Sequence, residues 1–352
     1  MPSPRHRWDP VAPPPRGLVR PVALDPLGVT GPTRGAARGR AWRRSRHGLY
    51  VPASADGDLP EQRVVEQAAR LPPGGAVTGW AACRLHGAAF FDGLLTDGRT
   101  RLPVPLVTGG AHVRGDELAR VLRDRIDPSE VVTRHGVPTA RVARALFDAM
   151  RDVTPREAVV AMEMAAAADL VSVRRMRAYL ATRAGCRGVR RVSTALDLAG
   201  ELSRSPNETR MRLVWVLDAG LPAPRVNQPV FDRGGRLLGI VDLLDVDAGL
   251  VGEYDGADHR GAARHAGDVG REDELRRAGL EVFRVTGPDM RSTDRVVRRM
   301  LAARARSRWE PEAERHWGVT PPPWWEVPPT LDEVLDHRDV LRSLHETVGH
   351  RE

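Results

Sequence analysis

The sequence contains no lysine. All 54 basic residues among its 352 are arginine, set against 46 acidic residues for a formal net charge of +8. So complete a bias reads as coding composition, and the position of the positive charge says more about an anionic partner than its total does. Cysteine is nearly absent as well. Cys83 and Cys186 are far apart and form no Cys-x-x-Cys pair, which excludes a disulfide framework and a cysteine-rich zinc site. No apolar run approaches the ~18 residues that a bilayer-spanning helix requires. The Arg- and Pro-rich start also lacks the apolar core of a secretory signal. These absences predict a soluble, cytoplasmic protein without a membrane partner.

What is present divides the chain into regions. The length suffices for two or three domains, each with its own core. Residues 1–25, with proline at 2, 4, 10, 13, 14, 15 and 21, carry no apolar periodicity and are expected to be a flexible lead-in. Residues 26–110 open with Gly31 and Pro32, an Arg/Ala-rich run expected to be helical from Thr33, and a short strand pair closed at Gly48. Such a helix followed by a hairpin reads as the end of a winged helix. Residues 111–200 read as a mixed, then helical connector, with Thr154-Pro155 as an N-cap and first-turn pair. From residue 201 to 306 the pattern becomes helix, three strands, helix, strand, helix: a mixed sheet flanked by helices. Residues 307–352 form a Pro- and Trp-containing tail with no regular pattern before Leu331. The expected class is therefore α/β. Residues 1–60 hold ten arginines against four acids, whereas residues 201–306 hold eighteen against seventeen, so the basic excess lies at the N-terminal end.

Chemistry concentrates in the 201–306 region. Asp242 sits inside the apolar run Ile240-Val241-Asp242-Leu243-Leu244, where a carboxylate is costly unless it is paired, hydrogen-bonded or bound to a cation. Glu253 and Asp255, two apart in the next strand, share a face. If the two strands pair through the Asp247–Gly249 turn, three carboxylates converge, the usual way to assemble oxygen ligands for Mg²⁺. The plainer alternative has Asp242 ending a strand and Glu253 and Asp255 facing water. Asp242, Asp245 and Asp247 lack the glycine-centred loop and closing glutamate of a calcium site.

Five linked motifs carry a resemblance. Ser205-Pro-x-Glu208-Thr-Arg-x-Arg, Val241-Asp242, Glu253-x-Asp255-Gly-x-x-His259, Asp268-x-x-Arg271-x-x-x-Leu275 and Gly279-x-x-Val-x-Arg284-Val-Thr286 occur in that order. Together they resemble the very-short-patch-repair-type domains of the PD-(D/E)XK nuclease superfamily, over about 100 residues. The resemblance implies a restriction-endonuclease-like fold and a Mg²⁺- or Mn²⁺-dependent endonuclease acting on DNA. Asp242 would be the central metal ligand, Glu253 the second acidic position and Glu208 the acid of the first helix. Asp255 stands where the superfamily expects lysine and would join the metal ligands. His259 would donate a proton or contact phosphate, and Arg271 and Arg284 would contact phosphate or the framework. Each role has an alternative. Ser205-x-x-Glu208 is also a capping box, His259 is compatible with a helix cap, and Asp268–Arg271 with a surface ion pair worth ~0.3–0.5 kcal/mol.

In the N-terminal half, Arg46-His47-Gly48-Leu49-Tyr50-Val51-Pro52-Ala53, Thr78-x-x-Ala81-Ala82-x-x-x-His86-Gly87 and Arg144-Ala145-Leu146-Phe147-Asp148 resemble the AbiEi-type antitoxin and transcriptional-regulator family. That resemblance implies a DNA-binding winged helix in which Arg34, Arg38, Arg40, Arg43 and Arg44 contact phosphates. A solvated arginine run is the alternative. Three functions stand: a metal-dependent endonuclease with an N-terminal DNA-binding module, a non-catalytic DNA-binding regulator, and a protein-binding component of a toxin or defence system.

Overall fold

Proline and glycine punctuate the chain into short elements, and a computed structural model divides these into two units, Met1–Leu198 and Ala199–Glu352. The structure describes residues 9–256 and 262–348, the side chains of 262–269 and 345–348 excepted. Both units mix helices and sheets, and no described helix is long and apolar enough to cross a membrane.

In the first unit, β1 (Val22–Ala23), β2 (Trp42–Arg46) and β3 (Leu49–Pro52) form a three-stranded antiparallel sheet in the order β1-β3-β2. The hairpin expected at Gly48 is present, with Gly48 at a φ of 76°. The helix expected from Thr33 is a single 3₁₀ turn, Ala36–Arg38. Gly31, Pro32, Gly35 and Gly39 leave too few consecutive helix formers to sustain more. No α-helix occurs among described residues before α1 (Pro60–Ala68), so the helices that precede the hairpin in a winged helix are not found there. Glu66 of α1 ties the hairpin down by accepting from Arg43 Nη1 at 3.0 Å, Ser45 Oγ at 2.8 Å and Gln62 Nε2 at 2.9 Å. Burial alone would raise the Glu66 carboxyl, but the bonds from Arg43, Gln62 and Ser45 outweigh it and hold the group below its ordinary range.

A second sheet of this unit runs β6-β5-β4-β8-β7. Its strands are β4 (Ala76–Val77), β5 (Val104–Val107), β6 (Ala119–Leu122), β7 (Val131–Arg134) and β8 (Val137–Ala140). With it go α2 (Gly79–Leu85), α3 (Val142–Arg151), α4 (Pro155–Ala167), α5 (Val173–Ala181) and α6 (Val189–Leu198). The cap read at Thr154 is made, its Oγ1 accepting from the Glu157 amide at 3.3 Å. Val159, Val160, Met162 and Met164 of α4 are fully buried, because an Ala-rich helix lets neighbours pack close on every side.

The second unit opens with α7 (Pro206–Leu213), which continues into one π-helical turn, Val214–Asp218. A meander of β9 (Arg225–Asp232), β10 (Leu237–Asp245) and β11 (Leu250–Asp255) follows. Then come α8 (Ala262–Arg277), β12 (Glu281–Thr286) parallel to β11, and α9 (Thr293–Arg306). Period-2 alternation gives the sheet two apolar faces. Leu250 and Phe283 pack with Met211 and Trp215 on the α7 side and with Val296 and Met300 of α9. Val251 and Val282 pack against Leu275 of α8 and Ala278 just after it. Trp215 and Phe283 stack with centroids 6.0 Å apart, an arrangement worth ~0.5–1.5 kcal/mol beyond the area buried.

The tail departs from the patternless reading. β13 (Trp317–Gly318) pairs with β9 as the fifth strand, and α10 (Leu331–Val348) follows. Trp317 is buried in the α8-side cluster, and Trp324 and Trp325 meet Phe231 edge-on at 5.9 and 5.3 Å. Proline fixed the backbone of this stretch without a repeating pattern, so only long-range packing reveals its role. Trp317→Ala is therefore expected to destabilise the protein by about 3–5 kcal/mol. Urea unfolding followed by far-UV circular dichroism measures it, and an unchanged midpoint would contradict the tail's part in this core.

Candidate functional site

The β10–β11 ladder pairs Asp245 with Leu250, Leu244 with Val251 and Leu243 with Gly252, and there it stops. The next pair in that register is Asp242 opposite Glu253. Opposed residues of an antiparallel pair share a face, so two carboxylates confront each other where the strands part. Upstream of Leu243, β10 is paired only with β9, and beyond Gly252, β11 is paired only with β12. The Tyr254 amide donates to Asp242 Oδ2 at 2.7 Å, so a side-chain oxygen takes the place of a ladder carbonyl.

All three central acids are buried: Glu208 is 4% exposed, Asp242 7% and Glu253 8%. Burial, then repulsion from Glu253 and from Glu208, push the Asp242 carboxyl well above the ordinary carboxylate range, against the opposing pull of the Tyr254 amide and Arg271.

Glu208 reaches this cluster from the start of α7. Ser205 caps the helix, accepting from the Glu208 amide at 3.2 Å, and Glu208 Oε2 reaches back to the Arg204 amide at 2.9 Å, one residue before the cap. The capping role and proximity to Asp242 thus coexist. Asn227 of β9 was missing from the sequence reading. It stands at a φ of 46° and donates from Nδ2 to Glu208 Oε2 at 2.9 Å and to the Leu202 carbonyl at 2.8 Å. Asparagine tolerates this left-handed backbone better than most residues, and the only sequence signal was a polar amide at the start of a strand. Asn207 similarly bonds the Tyr254 hydroxyl at 2.7 Å.

Arg271 enters from α8. Its Nη2 donates to Glu253 Oε2 at 2.7 Å and its Nη1 to the Ile240 carbonyl at 3.4 Å. A Cβ at position 239 would lie 2.9 Å from Arg271 Cδ, so Gly239 is what lets the arginine stem lie against β10. The ion pair of Arg271 is therefore with Glu253 across the fold; the Asp268 side chain lies outside the described residues. Arg284 is framework: its Nε meets Glu272 Oε2 of α8 at 2.9 Å, and Arg276 bonds the other oxygen at 3.0 Å. Asp245 is committed to Arg304 at 3.0 Å and to the amides of its own turn.

Asp255 ends β11 on the Glu253 face, in register with Thr286 of β12, and its side chain makes no hydrogen bond or ion pair among the described residues. His259 lies outside the described residues. Among the described residues no three His, Cys, Asp or Glu side chains are grouped to hold a metal, so the expected set Asp242, Glu253 and Asp255 does not form a three-ligand group. Two strand residues span about 6.6–6.8 Å, which carries Asp255 away from the Asp242–Glu253 pair.

Among the N-terminal arginines, Arg34, Arg38, Arg40 and Arg44 are exposed, while Arg43 is bound to Glu66 and the Ala55 carbonyl. Arg43 is thus a structural tie in the hairpin, contrary to its expected phosphate role. Arg44 also bonds His47 Nδ1 at 2.8 Å. No family model, curated protein or solved structure matches the chain.

The raised Asp242 carboxyl has a consequence for stability. The folded state holds its proton more tightly than the unfolded chain, so this group's contribution is complete below the unfolded value of ~3.9 and is lost as pH rises through the folded value. Asp242→Asn keeps an acceptor for Tyr254 and removes the charge. It is expected to raise stability at pH 7.5 and to confer little at pH 4, measured by urea unfolding in chelator. A variant less stable than wild type at pH 7.5 and indifferent to pH would refute the coupling.

Proposed function

We propose that the unit Ala199–Glu352 is a phosphodiester-cleaving centre of the restriction-endonuclease kind that acts on DNA, with Asp242 and Glu253 receiving a divalent cation, Mg²⁺ or Mn²⁺. The observation that supports this reading is the opposed pair of buried carboxylates at the parting of β10 and β11, with Asp242 driven toward its neutral form by burial and by the neighbouring Glu253 and Glu208. A buried acid cluster of this kind is relieved by a proton or a cation. Mg²⁺ takes one or two carboxylates and keeps several waters, so the pair fits it without a third protein ligand. Such an ion, when bound, polarises the phosphoryl oxygen and makes water a better nucleophile.

The protein's own groups divide the remaining work. Arg271 supplies the fixed positive charge that this lysine-free chain cannot draw from lysine. A guanidinium does not lose its proton, so Arg271 serves to grip phosphate or steady developing negative charge, and not as a base. Asn227 is a positioning residue that holds Glu208 near Asp242. Asp255, partly exposed at the strand end and two residues beyond Glu253, would accept the proton of the attacking water through one intervening water. The exposed arginines Arg34, Arg38, Arg40 and Arg44 would contact DNA phosphates from the hairpin region, without the α-helices of a winged helix before them among the described residues.

A second reading, a non-catalytic DNA-binding regulator, is favoured by one observation: Arg271 already satisfies a Glu253 oxygen at 2.7 Å, as a retired site would require. Purified protein incubated with plasmid and mismatched DNA, with and without Mn²⁺, separates the two. Under the enzyme reading wild type cleaves only with the ion, Asp242→Ala and Glu253→Ala are inactive, and Arg271→Ala is slower by roughly 10²–10³-fold. Intact substrate with every protein, alongside undiminished DNA binding, leaves the regulator reading standing in its place.

A further inference from the structure

In the unit Met1–Leu198 a cavity of about 310 Å³ is lined by Arg120, Arg151, Asp152, Arg187, Gly188 and Arg191. The four arginines converge from β6, the last residue of α3, the turn before α6, and α6 itself. They are not a sequence run; the fold gathers them.

Their partners leave a positive remainder. Arg120 is paired with Asp152 at 3.0 Å. Arg151 is paired with Asp124 and, at 3.0 Å, with Asp148, which Arg144 shares at 2.9 Å. Arg191 Nη1 donates only to backbone, the Arg151 carbonyl at 2.9 Å and the Val153 carbonyl at 3.3 Å. Arg187 is exposed and makes no hydrogen bond or ion pair among the described residues. The charges of Arg187 and Arg191 therefore have no carboxylate partner at the cavity.

A second observation points to a ligand. Arg151 is 8% exposed, and while its Nη2 is paired with Asp124 and Asp148, its buried Nε has no hydrogen-bond partner among the described residues. A buried cationic donor without an acceptor is what a bound anion satisfies. Gly188, which immediately precedes the first residue of α6, completes the wall, so the amides and the positive dipole end of that ten-residue helix lie at the rim. Its φ of 91° and its approach to Arg151, whose Cβ would lie 2.5 Å from a Cβ at 188, admit only glycine.

We propose that this cavity is an anion site that binds a phosphate group. Guanidinium forks match pairs of phosphate oxygens, and among the described residues no aliphatic or aromatic side chain lines the cavity to hold an apolar ligand. The phosphate belongs either to a nucleic-acid backbone or to a small phosphorylated molecule. The site is independent of the carboxylate cluster, since it uses none of its residues.

Calorimetric titration of the full chain with inorganic pyrophosphate, and separately with a short DNA duplex, tests it in wild type, Arg187→Gln and Arg191→Gln. Both side chains are exposed, and circular dichroism verifies that each variant is folded. The expected result is saturable binding weakened about 10- to 100-fold in each variant, the loss of one charge-assisted contact. A duplex that weakens in the same variants identifies a nucleic-acid backbone as the source. Pyrophosphate alone responding identifies a small phosphorylated molecule. No saturable binding of either probe, or affinities equal to wild type in both variants, overturns the site.

Discussion

The hydrogen bond from the Tyr254 amide to Asp242 Oδ2 is the contact around which the second unit is arranged. It marks the residue at which two strands stop sharing a ladder, and it does so with a carboxylate in the core. Had the ladder continued, Asp242 and Glu253 would stand as a like-charged opposed pair with Cβ atoms ~4.5–5.5 Å apart, which destabilises a sheet. Parting the strands relieves the crowding, yet each keeps a partner on its other side, β9 for β10 and β12 for β11. Packing holds the gap open: the clusters around Trp215 and Leu275 grip opposite faces of the same three strands.

The absence of lysine shapes every charged contact. A guanidinium stays protonated and binds in a planar fork, so arginine can be built into frameworks such as Arg43–Glu66, Arg304–Asp245 and Arg284–Glu272 without risk of losing its charge. Two aspartates of the second unit show how far a partner decides an acid's behaviour. Arg299, together with Thr286, holds Asp289 at about 2. Asp242, buried beside Glu253 and Glu208, is driven the other way. Charge is therefore settled by frameworks nearly everywhere, and left unsettled at the carboxylate cluster and at the arginine-lined cavity of the first unit.

Much of the second unit was legible in sequence. The expected order of helix, three strands, helix, strand and helix appears, its strands being Arg225–Asp232, Leu237–Asp245, Leu250–Asp255 and Glu281–Thr286. Turn residues and alternating apolar positions are local signals, and here tertiary packing agreed with them. A convergence of Asp242, Glu253 and Asp255 was expected on condition that the two strands pair through the Asp247–Gly249 turn; they pair so, which sets Asp242 opposite Glu253 and leaves Asp255 apart. The Arg-rich run after Thr33 misled, since its composition suggested a helix that its glycines do not permit.

Sequence by itself determined the α/β class, the order of elements from residue 201 to 306, and the location of a costly carboxylate inside an apolar strand. Tertiary structure alone decided which groups meet it: Glu208 from α7, held by Asn227, and Arg271 from α8, aimed at Glu253 across the space left by Gly239. It also brought the Trp-containing tail onto Phe231 and gathered Arg120, Arg151, Arg187 and Arg191 around one cavity. The division has a physical cause. Backbone periodicity and turn geometry act over a few residues and are written in adjacent letters, whereas side-chain partners are chosen by the packing of elements far apart in the chain, which no local pattern encodes.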